Sequence, residues 1–93
     1  MAKDGKEKKA YLIKPDGTRQ DFEDRPSFTK AQELIGGYLQ LFPARICQPG
    51  CTVYADEDGR AKNLPYNAEA SKFTPGIKLV GNVLILEGWK TLL

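Results

Sequence analysis

The residues of this 93-residue chain best suited to chemistry stand close together between Arg60 and Asn67. Asn63-Leu64-Pro65-Tyr66-Asn67 is irregular backbone carrying two carboxamides and a phenol, groups that can read the edge of a ligand or a peptide. Arg60 and Lys62 bring cations to the same stretch and can meet an anion. Asn67 also stands where a short helix begins, so free N–H donors and a partial positive charge gather there. Arg60, Lys62, Asn63, Tyr66 and Asn67 are therefore the candidate ligand- or partner-binding residues. A plainer reading stands beside this one. Leu64 and Pro65 fill the core, Asn67 only caps its helix, and Tyr66 covers a hydrophobic edge.

Other constellations carry less. The chain has no histidine, which removes histidine-based triads, the commonest general base near neutral pH and most zinc enzymes. No nucleophile–base pair is visible, so the expectation is a protein that is not an enzyme, with no catalytic residue, cofactor or metal. Cys47 and Cys51 are half of a structural zinc site, and no other cysteine exists to complete it. Reduced thiols are the expectation, with a dimer sharing four thiolates as the alternative. A disulfide across Gln48-Pro49-Gly50 is sterically open but disfavoured in a reducing cytoplasm. Asp56-Glu57-Asp58-Gly59 has the look of a calcium loop, yet the twelfth position, where such a loop needs glutamate, is Asn67. Gly36-Gly37 lacks both the preceding strand and the following Gly-Lys-Ser/Thr of a phosphate loop. Tyr11, Phe22, Tyr38, Phe42 and Tyr54 read as sheet packing rather than as base-stacking platforms.

Charge supports that last choice. Residues 1–9 hold four lysines against Asp4 and Glu7, while the remainder holds ten basic and ten acidic residues. The whole net charge of +2 therefore lies in the first nine residues, and the body is neutral. Nucleic-acid binders concentrate cations on the folded face, so that class is discounted, leaving weak binding through the lysine tail as a subordinate reading. Residues 1–9 have the composition of a disordered basic tail, and 10–93 that of a single domain. No apolar run is long enough to span a bilayer and the first residues are not a secretory signal, so no membrane partner is expected.

The elements that must position these residues follow from periodicity. Phe28, Ala31 and Ile35, with Leu34, form an apolar helical stripe that Ser27 or Thr29 can cap and Gly36-Gly37 can end. Tyr38–Phe42 alternates as a strand. Pro15-Asp16-Gly17 joins Tyr11–Lys14 to Thr18–Glu23 as a hairpin. Cys51–Ala55 is a strand rich in β-formers. Asp-Gly at 58–59 predicts a tight reversal into a short returning strand, Arg60–Lys62. Asn67 starts a helix over Ala68–Phe73, and Ile77–Leu79 is extended. Val83-Leu84-Ile85-Leu86 is apolar throughout, which fits a central strand buried on both faces. Trp89, Leu92 and Leu93 read as a C-terminal latch. The predicted fold class is α+β: a small, mainly antiparallel sheet of about five to six strands with two short helices on one face.

Four segments taken together resemble a known family. Glu33-Leu34-Ile35-Gly36-Gly37-Tyr38-Leu39 is similar to a helix end reading VGGYIE. Asp56-Glu57-Asp58-Gly59-Arg60 resembles an acidic turn of the type NEEGKL. Leu64-Pro65-Tyr66-Asn67-Ala68-Glu69-Ala70 resembles an LPxNxxA segment, and Gly81-Asn82-Val83-Leu84-Ile85 a closing GDVLI strand, with Asn82 where aspartate is usual. The resemblance runs from about Ser27 to Leu86. It is to a domain of unknown function found in small phage, plasmid and bacterial proteins. It implies a mobile-element origin and a cytoplasmic location, and brings no activity and no catalytic residue with it.

The functional expectation is thus an accessory protein that binds a host protein through strand edges and the Arg60–Asn67 loop. The alternative is a small-ligand module for a nucleotide-like anion. Oligomeric state stays open, with Tyr11–Lys14 and Arg60–Lys62 as candidate pairing edges.

Overall fold

A computed structural model of the chain describes residues 9–43 and 51–88. The expectations for the tail before Lys9, for the turn at Pro49-Gly50 and for the latch at Trp89, Leu92 and Leu93 lie outside the described residues. Lys9, read as tail, opens the first strand.

The elements run β1 (Lys9–Ile13), β2 (Arg19–Phe22), α1 (Phe28–Ile35), β3 (Leu39–Pro43), β4 (Cys51–Asp56), α2 (Ala68–Ser71) and β5 (Val83–Glu87). The five strands form one sheet in the order β2-β1-β5-β4-β3. Every neighbouring pair is antiparallel. β5, the apolar run, is the central strand. β2 and β3 are the edges, so the first strand, named above as a candidate edge, is interior.

Local chemistry explains the elements. Lys14 C=O accepts from Gly17 N–H at 2.8 Å, Gly17 takes φ 90°, and Asp16 Oδ1 accepts from Thr18 N–H and Oγ1. That is a three-residue hairpin loop with glycine at its left-handed position. Ser27 Oγ accepts from Lys30 N–H at 3.1 Å and starts α1. Gly36, at φ 90°, ends it by donating to Gln32 C=O.

The two helices lie on opposite faces, which corrects the expectation of one shared face. Ala31 and Ile35 of α1 pack with Ala10, Leu12, Tyr54, Leu84 and Leu86. Ala70 of α2 packs with Tyr11, Ile13, Val53, Ala55, Val83 and Ile85 on the other side. The reason is in β5 itself: a strand apolar on both faces needs cover on both, and each short helix shields one.

A second correction concerns the returning strand. Residues 57–63 are successive turns, with Lys62 N–H to Asp58 C=O at 3.0 Å and Leu64 N–H to Gly59 C=O at 3.1 Å. β4 already has β3 on one side and β5 on the other, so a strand returning from it finds no edge to pair with. Ile77–Leu79 likewise joins no strand; one bridge, Tyr66 to Val80, holds that region.

Candidate functional site

The turns after β4 return the chain to the C-terminal end of α1. Lys62 Nζ meets Asp56 Oδ2 at 2.7 Å and donates to Gly36 C=O at 3.2 Å. The Asp56 side chain is 1% exposed, that of Lys62 42%. Burial pushes the Asp56 carboxyl up, but hydrogen bonds from Lys62 Nζ and Asp58 N–H, with the ammonium charge, outweigh it and hold the group below its ordinary value. Gly37 faces this pair: a Cβ there would lie 2.8 Å from both carboxylate oxygens and from Nζ. The double glycine thus has two separate causes, a positive φ at Gly36 and close approach at Gly37. The ammonium of Lys62, half-exposed, is thus engaged by the Asp56 carboxylate and by Gly36 C=O.

Asn67 is fully buried. Its Nδ2 donates to Ile13 C=O at 2.9 Å and to Gly81 C=O at 2.8 Å, and its Oδ1 accepts from Ala70 N–H at 3.0 Å. Its backbone N–H reaches Leu79 C=O at 2.8 Å. One carboxamide therefore caps α2 and ties it to the end of β1 and to the approach to β5. No polar atom of the side chain faces solvent. The capping reading describes Asn67, and the motif around it is a fastening.

Arg60, Asn63 and Tyr66 remain on the surface. Asn63 is exposed and holds φ 58°, the left-handed conformation that turns the chain toward Leu64. Tyr66 is 52% exposed, with Lys78 Nζ 5.9 Å from its ring centroid. Arg60 Nη2 donates to Lys78 C=O at 3.3 Å. These two cations border a surface cleft of about 240 Å³. Phe42, Ala55, Leu79 and Val80 give it an apolar floor, and Gln40, Asp56 and Glu57 complete its wall, so two carboxylates stand there with the two cations. Of the five residues expected, only Arg60 lines this cleft. Nothing in the sequence marks Gln40 or Lys78, and Phe42 and Glu57 read there only as sheet packing and as part of an acidic turn, because the four come from segments brought together only by sheet order.

A second hollow, about 350 Å³, lies where α2 meets the first hairpin. Arg19 stacks on the Tyr11 ring 3.6 Å from its centroid, and the Tyr11 hydroxyl donates to Glu87 Oε2. Burial, then the Glu87 hydrogen bond and charge, push the Tyr11 phenol well above its ordinary value. Lys72 and Glu69 pair at 3.1 Å on its rim, so its charges are internally matched.

Cys51 is disulfide-bonded, where the sequence reading expects a reduced thiol. Among the described residues no group of three His, Cys, Asp or Glu side chains gathers as a metal site. No helix there is long and apolar enough to cross a membrane.

The architecture is that of a small antiparallel α+β domain with a cleft of mixed charge beside its β3 edge. The chain belongs to the family described as a domain of unknown function, DUF3846, which matches residues 8–91. No curated protein and no solved structure matches it.

Proposed function

We propose that this chain is a cytoplasmic accessory protein of a mobile element, of phage or plasmid type, that acts without catalysis by binding a host protein. The observation that carries the reading is the cleft: an apolar floor with Arg60 and Lys78 at its border and Tyr66 exposed beside it. An apolar pocket rimmed by charges of both signs suits a polar segment of a partner chain anchored by one apolar side chain. Mobile-element origin and cytoplasmic location rest on the motif resemblance alone, and the Cys51 disulfide speaks against the second.

Affinity purification from a bacterial host lysate at modest salt, with wild type and Arg60→Glu/Lys78→Glu in parallel, tests it. A partner retained by wild type and lost from the double variant is the expected result. Equal retention by both overturns the assignment to the cleft. The second reading, a small nucleotide-like anion, is favoured by the two cations at one small cavity. A rise in melting temperature with such an anion, abolished by the same variant and unaccompanied by any protein partner, would put it first.

A further inference from the structure

The two edges of the sheet are built differently. Lys14 N–H donates to Thr18 C=O at 2.9 Å, which sets the phase of the β1–β2 ladder and turns the Arg19 and Asp21 backbone outward. Those two residues are charged and paired at 2.8 Å, a guard against strand addition. On the opposite edge Glu57 N–H donates to Tyr38 C=O at 2.9 Å. In the register of Gln40 with Ala55 and Phe42 with Val53, this turns the N–H and C=O groups of Leu39 and Leu41 away from β4. Among the described residues β3 ends the sheet there; it carries no charged side chain and leaves Leu41 55% exposed.

We propose that β3 is a self-pairing edge on which a second copy of this chain adds its own β3, antiparallel about a two-fold axis at Gln40. The register is selected by chemistry. Centred on Gln40, Leu39 of each copy faces Leu41 of the other, and both residues use their outward N–H and C=O groups. Centred on Leu41, Leu39 would face Pro43, which has no N–H to give. Centred on Leu39, Leu41 would face Gly37, beyond the strand. A strand without charge brings no like charges together when it meets its own copy, whereas β2 would not be neutral at every position. The pairing continues two five-stranded sheets into one and covers Leu41 with Leu39 of the second copy, on the α1 face. Gln40 meets its counterpart on the α2 face, so the two clefts adjoin. The cleft cations take no part, and the pairing stands independently of the partner proposed above.

The test is sedimentation velocity of the full chain from about 5 to about 500 μM, the range in which an interface this small associates. The mass should rise from 10.3 kDa toward twice that value. Leu41→Lys, which adds a charge guard, and Leu41→Pro, which removes the outward donor and the leucine side chain but no ladder bond to β4, should stay monomeric. Asp21→Pro on the other edge should associate as wild type does. Hydrogen exchange on the wild type adds a reading free of folding defects: Leu39 and Leu41 amides should gain protection with concentration, while those of Arg19 and Asp21 should not. A monomer throughout the range, unimpaired association of Leu41→Pro, or association without protection at Leu39 and Leu41 would overturn the proposal.

Discussion

Replacing Asn67 separates a cap from a fastening. In Asn67→Ala the helix loses its cap, which costs about 1 kcal/mol. The carbonyls of Ile13 and Gly81 each lose a buried donor, at 2.9 and 2.8 Å, and each loss adds about 1–2 kcal/mol. The total is about 3–5 kcal/mol, set against about 5–14 kcal/mol for a domain of 93 residues. Asn67→Asp sharpens the point. Its carboxylate can still accept from Ala70 N–H, so the cap survives, but an oxygen now faces two carbonyl oxygens. That carboxyl is held protonated to a higher pH in the folded chain than in the unfolded one. Its penalty therefore grows as pH rises from the unfolded value toward the raised folded one, and is smaller at pH 5 than at pH 7. Urea unfolding at pH 7 and pH 5 reads both variants through the midpoint at constant slope. A loss near 1 kcal/mol in Asn67→Ala, or an Asn67→Asp protein as stable as wild type at pH 7, would refute the fastening role and leave only a cap.

Two pH-linked predictions follow from the other buried groups. The Asp56 carboxyl is depressed in the fold, so its stabilisation is present above the unfolded value near 3.9 and is lost as pH falls through the folded one. Lys62→Met should cost about 1–3 kcal/mol at pH 7, and the gap from wild type should narrow below about pH 4; a gap independent of pH would count against the pair. Tyr11 is raised in the fold, so its contribution is complete below about pH 10 and fades as the unfolded phenol ionises. Tyr11→Phe should flatten the alkaline limb of the stability profile, and tyrosinate absorbance from the wild type should lag behind that of the unfolded chain; an unchanged limb would show that Glu87 and burial do not hold the proton.

Signals confined to a few neighbouring residues were legible in the sequence. Ser27 and Gly36 delimit α1, Pro15-Asp16-Gly17 makes the first hairpin, Asn67 caps α2 and the apolar run at 83–86 is the central strand. Signals that depend on what lies across the sheet were not. Nothing in the acidic turn marks Asp56 for burial, yet it is buried because the turns at 57–63 carry Lys62 back over it. Asp58-Gly59 reads as a hairpin, but β4 has no free edge to receive the return. The placement of the helices was within reach: a β5 apolar on both faces already requires cover on both. The cleft was not, because Gln40 and Phe42, Ala55 and Glu57, and Lys78 to Val80 meet only once strand order is known.

The turns and strand ends around Gly36, Lys62, Asn67 and Asn82 are fastened to one another. Lys62 joins the acidic turn to Gly36 at the end of α1. Asn67 joins the LPxN segment to Gly81. Asn82 Nδ2 donates to Leu34 C=O at 3.0 Å, closing β5 against α1. A carboxylate at that position could accept but not donate, so this bond needs the amide of asparagine. These residues are bonded to backbone or to one another, and their replacement changes stability before it can change recognition. The cleft residues Gln40, Arg60 and Lys78, with Tyr66 beside them, are the reverse case: they stand at the surface, and charge reversal there leaves the fastening intact. A mutational search for function therefore belongs on that border, because a defect arising there reports on recognition, whereas one arising at the motif residues reports first on the fold.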